Sequence, residues 1–109
     1  GVDEATMHGY TWSPSQRVSS PSVAEAPARL ECVVHRTIPL GDETAAVVLV
    51  VAEVLCAVID DSILLSSDLD HPRIDLLAMG PIGRSGGRTF IRAIDDAVYY
   101  QERVPYQSA

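Results

Sequence analysis

Hydrophobic and polar positions divide this chain into one long apolar block and several shorter alternating or turn-rich stretches. The block is Ala45 to Ile59, AAVVLVVAEVLCAVI, interrupted only by Glu53. As a helix it would reach about 22 Å, short of the roughly 30 Å hydrocarbon core of a bilayer, so no membrane span is expected. Val47, Val48, Val50, Val51, Val54, Val58 and Ile59 are β-branched. Such side chains lose rotamer freedom in a helix and fit a pleated surface. The block therefore predicts a long strand, bent or bulged near Ala52-Glu53, with both faces buried. A buried helix rich in Ala and Leu is the competing reading, because a continuous apolar run does not fix the period.

Ala28 to Thr37, ARLECVVHRT, opens with period-two alternation: Leu30, Cys32 and Val34 on one face, Arg29, Glu31 and Val33 on the other. This predicts a half-buried strand, with Pro27 suited to its start. Ile38-Pro39-Leu40-Gly41-Asp42-Glu43 is turn chemistry, so the two strands should pair as an antiparallel hairpin. Residues 1–23 read as mostly irregular, broken by Gly9, Pro14 and Pro21 and anchored by Met7, Tyr10 and Trp12. Trp12 reads as a hydrophobic anchor, with stacking on a ligand as the sharper alternative. Beyond the block, Ile63 and Leu65 predict a short extension. Asp70 is a helix cap ahead of Pro72, and Arg73 to Met79 are one or two helical turns stopped at Gly80-Pro81. A Gly83-to-Gly87 loop follows, then a short strand at Thr89–Ile91, with Ala97–Tyr100 as another short strand or a tail. The expectation is a mainly β fold with one short helix, forming a single domain over residues 1–109.

Composition narrows the function classes. The chain has 109 residues, 47% of them hydrophobic, and a formal charge of −7. That suits one small core. All 8 basic residues are Arg. Scattered Arg in an acidic chain gives no footprint for nucleic acid and no basic face for anionic lipid. No signal or transit peptide pattern is visible, so a cytoplasmic protein is expected. The first residue is Gly1, which suggests a piece of something longer. Cys32 and Cys56 read as reduced core thiols, with a disulfide between neighbouring strands as the alternative. No CxxC or His/Cys ligand spacing is present, so no metal site is expected.

Candidate chemistry is sparse. Arg84-Ser85-Gly86-Gly87-Arg88 is the best site candidate: adjacent glycines allow positive φ and close backbone approach, and Arg offers a fork that suits phosphate. It lacks the Lys-Ser/Thr of a P-loop. The bland alternative is a tight turn with solvated Arg side chains. Glu53 is either a buried carboxylate of raised pKa or a structural strand residue. His8, His35 and His71 have no ligand spacing and no accompanying nucleophile motif, and His71, ahead of Pro72, lies in the loop best able to reach a ligand.

The segments SVAEAPARLECVVHRTIPLGD, VVAEV and GPIGRSGGRTF, in that order, resemble the C-terminal half of the flavin reductase-like proteins with an FMN-binding split β-barrel. In that family a Pro-rich lead-in precedes a strand of the type SPVALEC. A Leu-Gly-Asp turn, a strand carrying GEV and a loop of the type plgRlGG..Y follow. Gly1-Val2-Asp3-Glu4 is similar to the family's mid-chain segment. Ala52 stands where the family has Gly, Phe90 where it has Tyr, and nothing matches the family's N-terminal half. The resemblance implies an antiparallel split barrel, of which this chain forms half. It implies FMN as cofactor, NAD(P)H as hydride donor, and a flavoprotein oxidoreductase built as a homo-oligomer, commonly a dimer, or with an N-terminal barrel half. Arg84, Gly86, Gly87 and Phe90 are the implied cofactor contacts, and no catalytic acid or base is required. The alternative is a cofactor-free split barrel that binds a small apolar ligand or a partner, or serves a non-redox biosynthetic step.

Overall fold

The structure is a computed structural model and describes residues 3–66 and 68–92. The chain divides into two compact units, Gly1–Asp60 and Asp61–Ala109.

The first unit is built on one hairpin. Strand β3 (Ala28–Leu40) pairs antiparallel with strand β4 (Val47–Ile59), from Ala28 opposite Ile59 to Leu40 opposite Val47. The valine-rich block is therefore a strand, and the helical reading falls. The register slips twice. Leu55 is the extra residue on β4 between the Glu31–Cys56 and Cys32–Val54 pairs, and His35 is the extra residue on β3 opposite Ala52 and Val51. The expected irregularity near Ala52-Glu53 thus lies beside that pair, on both strands. Such bulges bend a ribbon and increase its twist.

The turn is fixed by Gly41 and Asp42. Gly41 has φ +82°, and a Cβ there would overlap the Ala45 carbonyl oxygen. Asp42 Oδ1 accepts from the N–H of Thr44 (2.9 Å) and Ala45 (3.1 Å) and from Thr44 Oγ1 (2.6 Å). Those donors hold the Asp42 carboxyl below its usual range, the Thr44 hydroxyl contributing most.

Ahead of the hairpin, helix α1 (Glu4–Met7) is capped by Asp3, and strand β1 (Trp12–Ser13) pairs with β2 (Ser22–Val23). Trp12 Nε1 donates to Asp3 Oδ2 at 2.9 Å, tying the strand to the cap. Met7, Tyr10 and Trp12 remain exposed, so the expected hydrophobic anchoring is not made by the described residues.

Burial differs from expectation. The strand block was expected to be covered on both faces, yet residues 47–54 are all exposed, with Val47 at 58% and Val54 at 51%. On β3 Leu30, Val33 and Val34 are all exposed, Cys32 is half-buried and the one buried residue is Glu31, so burial does not follow the two faces of the alternation. A strand hides only the surface that other chain covers, and the segment lying on this hairpin covers the Glu31 end. Arg29 Nε is buried there and makes no hydrogen bond among the described residues.

In the second unit a 3-10 turn (Asp61–Ile63) buries Ile63, the one buried apolar side chain among the described residues. Leu64 bridges Ile74, with Leu65 N donating to Arg73 O at 2.9 Å and Asp75 N to Ile63 O at 2.8 Å. Helix α2 (Leu76–Met79) starts at Asp75, not Asp70: the Asp75 carboxylate accepts from the N–H of Leu77 and Ala78. Gly80 ends it in the left-handed region. Strand β5 (Ile82–Gly86) then turns through Gly87-Arg88 into β6 (Thr89–Arg92). The stretch expected as a loop is thus largely one arm of a hairpin. The expected strand at residues 97–100 lies outside the described residues. No described helix is long and apolar enough to cross a membrane.

Candidate functional site

The β5–β6 hairpin gathers the four sequence-predicted contact residues. Arg84 stands directly opposite Phe90, and Gly86 opposite Thr89, with Ser85 as the extra residue between these pairs. Directly opposed residues share a face of an antiparallel pair, so the Arg84 guanidinium and the Phe90 ring project from the same side. Gly86 has φ +139° and Gly87 φ +52°, and a Cβ at either would meet nothing within 4 Å. The glycines are there for backbone conformation, and the space over the turn is open. Arg84 Nη2 donates to Gly87 O at 3.0 Å, which draws the guanidinium along the strand to the turn. Phe90 is 59% exposed. A cation, a ring face and an open glycine turn can together receive an anionic group attached to a planar ring.

The other candidates do not assemble. Glu53 is exposed opposite Val33, so the buried-carboxylate reading falls. His8 closes α1, His35 is the bulged residue of β3, and His71 Nδ1 lies 3.5 Å from Asp68 Oδ2 in an exposed pair. Among the described residues no three His, Cys, Asp or Glu side chains come together as a metal site. Cys32 and Cys56 are free and half-buried, not a disulfide.

One polar centre escaped the sequence reading. Glu31 is buried at 3% exposure in the first unit. Its Oε1 accepts from Arg17 N at 2.6 Å and its Oε2 from Gln16 N at 3.0 Å, so the 13–22 connection is pinned on β3 by a carboxylate. These two N–H groups, Arg17 first, hold the Glu31 carboxyl below its usual range. Cys56 stands opposite, and desolvation, then the Glu31 charge, push its thiol up. Both causes disfavour the thiolate form of Cys56. A shallow depression of about 200 Å³ lies beside this clamp, lined by Ser15, Ser20, Ser22, Leu30, Glu31 and Cys32 among others. That is below the usual range for ligand pockets. The signal for Glu31 was its place in the alternation after a Ser-rich lead-in, whose backbone donors need an acceptor.

The fold is a mainly β assembly of antiparallel ribbons, without a closed barrel among the described residues. The chain belongs to the flavin reductase like domain family, which matches residues 1–68. It is 35% identical over 88 residues to an uncharacterized protein of Deinococcus radiodurans, covering 81% of this chain and 36% of that one. It is 39% identical over 90 residues to an uncharacterized protein of Halalkalibacterium halodurans, covering 80% and 40%. Among solved structures it is similar to nitrilotriacetate monooxygenase component B from Bacillus cereus, with TM-score 0.70, 26% identity, and coverage of 84% of this chain and 44% of that one. The fold is also that of 2-nitrobenzoate 2-nitroreductase from Pseudomonas fluorescens, with TM-score 0.73, 24% identity and coverage of 96% and 49%. The chain thus spans less than half the length of each of these proteins.

Proposed function

We propose that this chain is one half of the single split-barrel domain of a cytoplasmic flavin reductase-like oxidoreductase that takes hydride from NAD(P)H onto FMN. The observation that carries this reading is the β5–β6 hairpin, where Arg84 and Phe90 form a cross-strand pair beside the open Gly86-Gly87 turn. These residues fit a flavin phosphate or ring edge: Arg84 supplies a guanidinium, the glycines admit close approach, and Phe90 offers an apolar face. Bound flavin supplies the redox chemistry as a two-electron acceptor. The chain's own residues bind and orient. Arg84, held by Gly87 O, presents charge at a fixed place, and Phe90 excludes water from one side.

The exposed face of residues 47–54 and the unpaired Arg29 Nε support completion by further polypeptide, either an N-terminal barrel half or a second copy. An apolar surface of this extent is an interaction site. The test is FMN titration of the full-length protein followed by absorbance and fluorescence quenching. Saturable uptake is expected, weakened about tenfold in Arg84→Ala, the size of one lost charge-assisted hydrogen bond. Unchanged affinity in that variant would remove Arg84 from the site. A colourless protein that neither takes up FMN nor consumes NADH or NADPH would favour the cofactor-free alternative, in which the exposed strand face serves a partner or apolar ligand.

A further inference from the structure

We infer that the β5–β6 hairpin also binds the hydride donor, through Arg88 and Arg92, and that it selects a nicotinamide dinucleotide carrying a 2′-phosphate. Arg84, Arg88 and Arg92 recur at every fourth position, and residues 76–94 contain no Asp or Glu, in a chain whose net charge is −7. The pairing turns this run into a surface. Arg92 stands opposite Ile82 and Arg84 opposite Phe90, so Ile82, Arg84, Phe90 and Arg92 share one face. Arg88 sits in the turn, one peptide unit from the Gly87 carbonyl that receives Arg84. From Arg92 to Arg88 in that turn is roughly 13 Å at about 3.3 Å per residue. Ile82 and Phe90 are 65% and 59% exposed, so the cations border an accessible apolar strip.

A single phosphate does not use such a stripe. On the reading above Arg84 serves the flavin, which leaves Arg92 on the same face and Arg88 in the adjoining turn with charge to place. A dinucleotide with a 2′-phosphate matches it: a pyrophosphate, a separate phosphomonoester, and an adenine whose flat face can lie on an Arg plane or the exposed Ile82. Guanidinium forks suit both phosphate types, and Arg stacks on aromatic faces. The donor must lie beside the flavin for hydride transfer, so a hairpin touching the flavin with Arg84 can reach the donor with its neighbours. The inference rests on the flavin reading for that last step only.

The experiment titrates the full-length, flavin-loaded protein with adenosine 2′,5′-bisphosphate and with 5′-AMP by calorimetry. The bisphosphate is expected to bind about tenfold tighter or more, and the Arg88→Gln/Arg92→Gln double variant to abolish that difference while FMN affinity stays within about twofold. In turnover, KM rises more for NADPH than for NADH in the variant, because both donors lose the contact to the pyrophosphate and only NADPH loses the one to the 2′-phosphate. Both side chains are exposed, and Arg92→Lys, which keeps the charge, guards against a folding artefact by retaining part of the preference. Equal affinity for the two adenosine nucleotides overturns the inference, as does bisphosphate binding that survives the double variant. Displacement of the bisphosphate by FMN, with both lost together in the variant, also overturns it by assigning these arginines to the flavin phosphate. A protein that takes up no FMN yet binds the bisphosphate through Arg88 and Arg92 overturns the flavin reading alone.

Discussion

The two long-range features of this chain are both antiparallel hairpins, and they differ in nearly every physical respect. The β3–β4 ribbon has thirteen residues in each arm and is dominated by β-branched side chains. The β5–β6 ribbon has five and four, with glycines at its turn and arginines on its face. The first holds its geometry through bulges, an Asp-capped turn and a buried carboxylate. The second is exposed throughout. A ribbon of the first kind presents apolar area that demands cover. One of the second kind presents charge and backbone access that suit a ligand. The comparison teaches that assembly and chemistry are separable here, and that changes in one ribbon should leave the other's role intact.

The largest effect is expected from placing charge on the apolar ribbon. Val50→Asp puts an ionised group on the face that the proposed function has covered by further polypeptide, where burying a valine would contribute about 1.5–3 kcal/mol and burying a carboxylate would oppose it. Full-length protein carrying it should lose its oligomer or its folded barrel, read by analytical ultracentrifugation and thermal melts. The double Arg variant of β5–β6 should retain both. If Val50→Asp assembles normally, the exposed face is solvent-facing in the mature protein and the contrast between the ribbons collapses.

Next comes the clamp. Glu31→Ala removes the acceptor of the Gln16 and Arg17 N–H groups and leaves two backbone donors under-satisfied. The expected result is a drop in Tm on the order of 5 °C. Protection of residues 13–22 against hydrogen exchange should fall with it. Gly86→Ala should cost less, about 1 kcal/mol from forcing an L side chain to positive φ, and should weaken ligand binding more than it lowers Tm.

These contrasts also show what sequence patterning could convey. The long strands, their antiparallel pairing and the Gly-Asp turn were legible because β-branching, alternation and turn chemistry all agree there. The cap at Asp75 was missed in favour of Asp70 because both carry a carboxylate ahead of apolar residues, and only the backbone decides which N–H groups lie within reach. The burial of β4 was overread: periodicity reports which surfaces are apolar, and not which polypeptide covers them. In the candidate site Arg84, Gly86, Gly87 and Phe90 were found together, but as a hairpin and not a loop. That Arg92 shares a face with Arg84 was not legible, because it depends on cross-strand register, which no local motif encodes. Glu31 was placed on one face of a half-buried strand and not singled out, because alternation says nothing of the segment that folds back onto it.

The smallest effect sharpens the comparison through pH. The Glu31 carboxyl titrates below its unfolded value of about 4.3, so the unfolded chain binds more protons as pH drops toward and past that value. The stabilisation is complete above pH about 4.5 and disappears as pH falls through the lower native value. Asp3, Glu25 and Asp42 are lowered too and add to the same acid limb. Cys56 has the opposite sign: its native thiol is raised, so its contribution is complete below the unfolded value of about 8.5 and is lost as pH rises through the native one. The first ribbon should therefore be most stable between about pH 5 and 8, and Glu31→Gln should flatten the acid limb without abolishing it. The same variant removes the Glu31 charge that helps push the Cys56 thiol up and leaves its desolvation in place. Iodoacetamide should then modify Cys56 modestly faster at pH 8 in Glu31→Gln, scored by mass spectrometry against Cys32 in the same molecule. An unchanged ratio of the two rates would mean that the carboxylate does not act on the thiol across the strand pair.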